Sequence, residues 1–513
     1  MTSSIRSRDI KCIASLLVLI CLLLGQVTCA FQGGSLRRCP TRSHERSHRA
    51  LSLQTLHTNV PVPYHLRYNS NKGIALWSKE SDLDYSKEEE GSVAGASLLF
   101  AGTAIGAGMI ALPAETITAG FVPSVFGLVI CCIFTYVTSL IVLEASWIVS
   151  CDDTCDIKNQ DDGGGFLLIA RKALGIPGEV VTAVLFWFLL TAIIVAYTSE
   201  GGQLISSVLE EVTPVTLAPA LGSLIFATFF ATLAVYGTSK VDAINRVFVV
   251  GLMGSFVALV WMGFPMIQQS NLFDGSNWSL VYPTVISIGI LSFGAQNVVP
   301  TLFRYLNNDP NRTRLAIFYG TLMPLVLYTT WEGVVLGVID TSVAATSADK
   351  VDAINILGRS GGQIVTDFVV LFSVCAIGSS MAGASVSLVD FFEDASKLLV
   401  AEKEISSSSL KASDSISSRM LAAIIALGPP VILAYSFPDI FLVALEEAGL
   451  LGGVSLYGLL PAVSILALRR RYPSAVMPGR LGGDDVSLIV VAGLSLTLML
   501  PEIIHLGLAV VQR

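Results

Sequence analysis

Charge is scarce in this sequence. Of 513 residues only 14% are charged, while 53% are apolar. Soluble domains carry about a quarter of their residues charged, so this balance points to a polytopic membrane protein. Histidine is rarer still: His44, His48, His57 and His65 fall in the N-terminal segment, and His505 stands alone near the other end. A histidine proton relay is thereby excluded from the first ten apolar runs. Those runs also hold no His-Glu-x-x-His, no Gly-x-Ser-x-Gly and no histidine–carboxylate cluster, which argues against a membrane-embedded hydrolase or transferase. No repeated filter sequence marks a channel. The nine cysteines are scattered. Cys151 and Cys155, a C-x3-C in an acidic loop, read as free thiols in a reducing compartment rather than a metal site.

Long apolar runs are plentiful. Eleven reach spanning length: 93–113, 122–149, 180–198, 217–235, 247–267, 282–303, 315–338, 364–388, 421–436, 440–466 and 486–510. The ninth contains Gly428-Pro429-Pro430 and is expected to kink. Basic residues orient the set. With the N-terminus on the cytosol-like side, that face collects sixteen, among them Arg171, Lys240, Arg312, Arg419 and Arg469, against three on the other: Lys350, Arg359 and Arg513. Because these charges follow topology, they do not form a nucleic-acid face. Glu144, closing the second span, is expected at the membrane interface.

The N-terminus reads as an address in two parts. Basic Arg6, Arg8 and Lys11 precede the apolar run 12–24, and Val27-Thr28-Cys29-Ala30 offers a cleavage site before Phe31. Residues 1–30 are thus a signal peptide, and 31–78, rich in Arg, Ser and His with Glu45 its only acid, is transit-peptide-like. An acidic segment, 79–91, leads into the transmembrane domain at 92–511. The two-part address resembles those of algae with complex plastids and predicts a plastid envelope protein. The alternative is an ordinary signal peptide that leaves the protein in the endomembrane system or plasma membrane.

Two runs are interrupted at matching places in the two halves. Gly102-Thr103-Ala104-Ile105-Gly106-Ala107-Gly108 breaks the first, and Ser292-Phe293-Gly294-Ala295-Gln296-Asn297, closed by Pro300, breaks the sixth. Unwound backbone survives in a bilayer only where protein covers it or it lines a cavity, and one such break per half marks the substrate site of an inverted-repeat transporter. Spans one to five and six to ten have opposite topologies, since five is odd. A helix restarting near Gly108 offers free N–H groups to a carboxylate. A half-helix ending near Phe293 offers carbonyls to an ammonium. Together they describe a zwitterion such as an α-amino acid. The other reading of Gly102-x3-Gly106 is close helix packing.

The residues from Gly102 to Pro113, with Met109-Ile110-Ala111-Leu112-Pro113 closing the motif, resemble the first-helix signature of the aromatic (tyrosine and tryptophan) amino acid permeases. These belong to the amino acid–polyamine–organocation superfamily. The resemblance continues through Ser292-Phe293-Gly294 with Pro300, Gly320-Thr321-Leu322-Met323-Pro324-Leu325 with Trp331, and Val389-Asp390-Phe391-Phe392. It implies an all-α, leucine-transporter-like five-plus-five inverted repeat with an eleventh helix, and a secondary transporter of tyrosine or tryptophan. By position, the Ala104 carbonyl would take the ammonium and the Ala107 and Gly108 amides the carboxylate. Thr103, Gly106, Ser292, Phe293, Gly294, Ala295 and Gln296 would complete the site, with Thr191 and Tyr197 as pocket walls. Tyr197 could equally anchor at the interface.

Coupling has two candidate routes. Ala376, Ser379 and Ser380 match the place where sodium-coupled relatives hold a cation, though such hydroxyls can merely bond back to their own helix. Glu332 follows Trp331 where bacterial relatives often have glutamine. A carboxylate mid-span costs about 2.5–3.5 kcal/mol, which makes Glu332 a candidate proton carrier unless it reaches water at the span's outer end. Protons are the expected coupling ion and sodium the alternative, with no organic cofactor and no metal. Exchange of small neutral amino acids is the rival function. The expected partners are the amino acid substrate and the lipid bilayer.

Overall fold

The computed structural model describes residues 91–151, 165–213, 216–273, 276–339, 361–404, 415–476 and 480–511, together with Arg67–Tyr68 and Ala75–Leu76. Those last two form a two-residue antiparallel ladder. Apart from it and Gly91, the segments 1–30, 31–78 and 79–91 lie outside the described residues, as do Cys155, Lys350 and Arg359.

Everything else with regular structure is helical. Among the described residues, nine helices are long and apolar enough to cross a bilayer, and a pair bent by 54°, Val93–Ala104 with Gly108–Thr116, makes a tenth. That pair is span one. Then follow span two (Phe121–Ser150), span three (Gly165–Val212), span four (Pro219–Tyr236), span five (Thr238–Gly263), span six (Trp278–Tyr305) and span seven (Pro310–Val338). Span eight is Gln363–Glu404, span nine Ser415–Ser436, span ten Phe441–Arg471 and span eleven Asp485–Val511. A helix lies at each of the eleven expected runs; among the described residues ten meet the length and apolarity needed to cross a bilayer, and Asp485–Pro501 is a shorter apolar helix.

Local chemistry sets the ends. Gly120, at φ 85°, turns the chain into span two. The Asp309 carboxylate accepts from the Asn311 and Arg312 amides, and Pro310 occupies the first helical position of span seven. Span three begins earlier than its apolar run because a first segment from Gly165 is joined to it across a kink at Gly175, φ 75°, just before Pro177. Span nine continues as helix through Pro429 and Pro430. Span ten includes a long π-helical stretch, Ala448–Leu459.

Two helix groups emerge. Span seven packs along spans one and two, and span six lies against spans one and two. Spans three, four, five, eight and nine pack among themselves, with span eight along span five. Gly320 lets spans seven and one approach closely, since a Cβ there would sit 2.8 Å from Phe100 Cβ.

Several basic residues at span ends tie neighbouring segments together. Arg312 donates to the Gly91 carbonyl, and Arg471 to the Lys172 carbonyl. Arg419 joins three spans through the Ala234 carbonyl, Asp390 and Glu393. Glu144, near the end of span two, is fully buried: Arg469 from the end of span ten grips both its oxygens at 2.8 Å and the Gly482 amide donates to it at 2.8 Å. Arg469 is itself held by Asp485 and the Gly483 carbonyl.

Candidate functional site

Span one comes apart where its glycines permit. Its inner half ends with the Ile105 amide bonded to Ala101, and Ile105 turns extended at ψ 115°. The outer half restarts when Met109 bonds to Gly106 and Ile110 to Ala107. The amides at the start of the new helix have no carbonyl behind them within that helix. The hydroxyl of Ser380, from span eight, accepts from the Ala107 amide at 2.9 Å.

Span six comes apart in the same way. The helix Ile286–Ser292 ends as Gly294 bonds to Leu291, and a 3-10 turn at Gln296–Val298 leads into Val299–Tyr305. The two breaks touch. A Cβ on Gly108 would lie 2.5 Å from Ser292 Oγ, and one on Gly106 would collide with Ser380 Oγ. Glycine at these positions makes room for the two serine side chains, and at Gly108 the Ser292 Cα would also lie 3.3 Å from an added Cβ.

The two helix ends that expose carbonyls share one partner. The Tyr328 hydroxyl lies 2.8 Å from the Ala104 carbonyl and 2.9 Å from the Ser292 carbonyl. Its ring meets Phe293 edge-on at 5.1 Å. A hydroxyl has one hydrogen to give, so it satisfies one carbonyl at a time. The arrangement is thus polar at both ends: N–H groups faced by Ser380, carbonyls faced by Tyr328. Such a pair of poles suits a carboxylate and an ammonium respectively.

The walls are closed. Ala107, Ser292, Phe293, Ala295, Thr191, Tyr197 and Tyr328 are all buried. The Tyr197 hydroxyl interacts with Ser380, which places it beside the first break rather than at the membrane interface. Ser292 Oγ and Thr191 Oγ1 have no hydrogen-bond partner among the described residues. Buried hydroxyls of that kind are costly unless something bonds to them. Gly294 lets the Tyr457 ring of span ten approach, since a Cβ there would lie 2.9 Å from Tyr457 Cε2.

Other candidates are placed elsewhere. Thr103 is exposed, and its hydroxyl bonds to the Leu99 carbonyl of its own helix. Gln296 has both ends of its amide engaged, accepting from the Ala295 amide and donating to Thr138 of span two, so it braces the break. Ser379 points to Asn245 of span five, at 2.7 Å, while Ala376 is buried one turn earlier. Glu332 does not reach water. It is fully buried, one oxygen 2.7 Å from the Thr116 hydroxyl and the other without a partner among the described residues.

Tyr328 and Thr116 escape a reading of motifs. The signal for Tyr328 is its spacing: it lies three residues before Trp331 and four before Glu332, on one helical face, and that face looks at span one.

The tryptophan/tyrosine permease family model matches residues 89–500. The "Tyrosine-specific transport system 2" of Haemophilus influenzae is 28% identical over 422 residues, spanning 80% of this chain and 97% of that protein. The "Tryptophan-specific transport protein" of Pseudomonas aeruginosa is 28% identical over 415 residues, covering 79% of this chain and 93% of its own length. Among solved structures, the inward-facing conformation of Mhp1 superposes with a TM-score of 0.52 at 13% identity, over 80% of this chain and 90% of that one. That likeness shows the leucine-transporter fold. With its match over the whole transmembrane region, the chain belongs to the tryptophan/tyrosine permease family, and it is a transporter rather than an enzyme.

Proposed function

We propose that this permease carries aromatic amino acids, tyrosine first and tryptophan second, by alternating access driven by a proton gradient. The observation that carries the reading is the pair of facing poles, with the Ala107 amide on one side and the Ala104 and Ser292 carbonyls on the other. A zwitterion fits both. The relatives named for tyrosine and tryptophan transport support the choice of side chain, and the ring of Phe293 supplies an aromatic wall.

One feature favours a proton over sodium: Glu332 is a buried carboxyl whose one hydrogen-bond partner among the described residues is a neutral hydroxyl. Held as an anion it would be a poorly compensated charge, so loading and unloading a proton there is the economical cycle.

Counterflow of labelled tyrosine, tryptophan, phenylalanine and alanine in proteoliposomes, with and without sodium, tests the reading. Tyrosine and tryptophan exchange should exceed alanine at least tenfold and ignore sodium. Equal exchange of alanine, or strict sodium dependence, would favour the small-neutral or sodium-coupled alternative. We place the protein in a plastid envelope on the strength of its two-part leader. N-glycan on Asn277, within Asn277-Trp278-Ser279, would assign it to the secretory system instead.

A further inference from the structure

We propose that Thr116 and Glu332 form the joint through which the outer half of span one senses a bound proton. The inference rests on the proton-coupled reading of Glu332. Thr116 is the last residue of the half-helix Gly108–Thr116. Its hydroxyl lies 2.8 Å from the Leu112 carbonyl and 2.7 Å from Glu332 Oε2, and both Thr116 and Glu332 are fully buried.

Three groups share the available hydrogens. Leu112 O can only accept, and Thr116 has one hydrogen to donate. With Glu332 neutral, its O–H donates to Thr116 and Thr116 donates to Leu112, so the chain is complete. With Glu332 charged, the Thr116 hydrogen turns to the carboxylate and the Leu112 carbonyl loses its side-chain donor. The proton forms an O–H bond at Oε2 on loading. On release that O–H bond breaks and the proton passes to water once the transport cycle opens the carboxyl to one face; no other covalent bond changes. One proton thus decides which way the Thr116 hydroxyl points.

The half-helix is also gripped near its start. Trp331, next to Glu332, donates from its indole to the Met109 carbonyl at 2.7 Å. Met109 and Thr116 are seven residues apart, about two turns, so adjacent residues of span seven hold the same short rod at both ends. Its first residues are the ones that carry the N–H pole. A change at the Thr116 end therefore reaches the substrate site through a rigid element rather than a loop.

The titratable groups on elements packed against span seven are few. Glu115 neighbours Thr116 on the half-helix. Cys131, Cys132, Tyr136 and Glu144 are on span two, with Glu144 paired to Arg469. Lys240, Asp242 and Arg246 are at the start of span five, and Arg304 and Tyr305 end span six. Tyr328 lies one turn before Glu332 on span seven itself. Among the described residues, Glu332 is hydrogen-bonded by Thr116 alone and ion-paired to none of these groups.

The test is the pH profile of gradient-driven tyrosine uptake by the purified full-length protein in proteoliposomes. A hydrogen bond to a carboxylate is about twice as strong as one to its neutral acid. Thr116→Val therefore raises proton affinity about tenfold and moves the uptake midpoint up by about one pH unit. Thr116→Ser keeps the wild-type midpoint, and Glu332→Gln flattens the profile. A wild-type midpoint in Thr116→Val beside a flat Glu332→Gln profile overturns the joint but leaves Glu332 as the carrier. A wild-type profile in Glu332→Gln overturns both. If Val and Ala at 116 lower thermal stability and Ser restores it, with no midpoint shift in any variant that transports, Thr116 is a packing residue and the proposal fails.

Discussion

The indole of Trp331 donates to the carbonyl of Met109, the carbonyl that Pro113 cannot serve. In a helix that oxygen would accept from the amide four residues on, and proline has none to give. The Leu-Pro that closes the first-helix motif and the tryptophan of span seven are thus two halves of one hydrogen-bonding arrangement. Trp331 is fixed for this task by ring contacts to Phe372 at 4.8 Å and Phe256 at 6.1 Å.

A double-mutant cycle follows from that pairing. Trp331→Phe should lower stability by about 1–3 kcal/mol, the usual penalty for an orphaned buried acceptor. Pro113→Ala returns an N–H to Met109, so in that background the Trp331→Phe cost should shrink by about 0.5–1 kcal/mol. Thermal unfolding in detergent measures both. Strict additivity would show that the two residues do not share the carbonyl.

Replacing Gly108 by alanine places a methyl 2.5 Å from Ser292 Oγ. Uptake of tyrosine should fall at least tenfold while the protein still inserts and purifies as a monodisperse peak. Gly106→Leu, pressed against Ser380, should be inactive outright. Normal transport by either variant would remove the breaks from the site.

Tyr328→Phe deletes the hydroxyl shared by the Ala104 and Ser292 carbonyls and keeps the ring against Phe293. One lost hydrogen bond between neutral groups is worth about 0.5–1.5 kcal/mol, so the KM for tyrosine should rise about two- to tenfold. An unchanged KM with a lowered melting temperature would make Tyr328 a brace for the breaks and nothing more.

The ion pair of Glu144 and Arg469 should be costly to break from one side. Arg469→Ala leaves the buried Glu144 carboxylate with the Gly482 amide alone, for which about 3–5 kcal/mol is the general cost, while Glu144→Ala costs less because Asp485 and the Gly483 carbonyl still hold Arg469. Replacing both with apolar residues, Glu144→Leu with Arg469→Met, should recover most of it. Protease resistance of the purified variants checks the order: wild type, then the double variant, then the singles.

Much of this architecture is legible in the amino-acid string because its signals are local. Glycine and proline mark the breaks in spans one and six, and apolar runs bounded by basic loops mark the eleven helices. What escapes is long-range. Gln296 reads as a substrate ligand until Thr138, 158 positions away, is seen to hold it. The burial of Glu144 depends on Arg469, 325 positions away, which no local pattern pairs with it. Tyr328 and Thr116 are ordinary helix residues whose chemistry depends on which carbonyl or carboxyl another helix brings near. Thr103 misleads for a different reason: it belongs to the motif but bonds to its own helix.

The knot around Arg469 has a mechanical consequence. It ties the inner tips of spans two and ten to the turn at Gly482-Gly483 and the first residue of span eleven. Dragging those tips apart would strand a guanidinium and a carboxylate away from water. Under the proposed alternating access, this is the corner where the helices are most strongly held against separation, so opening falls to ends that no such pair fastens.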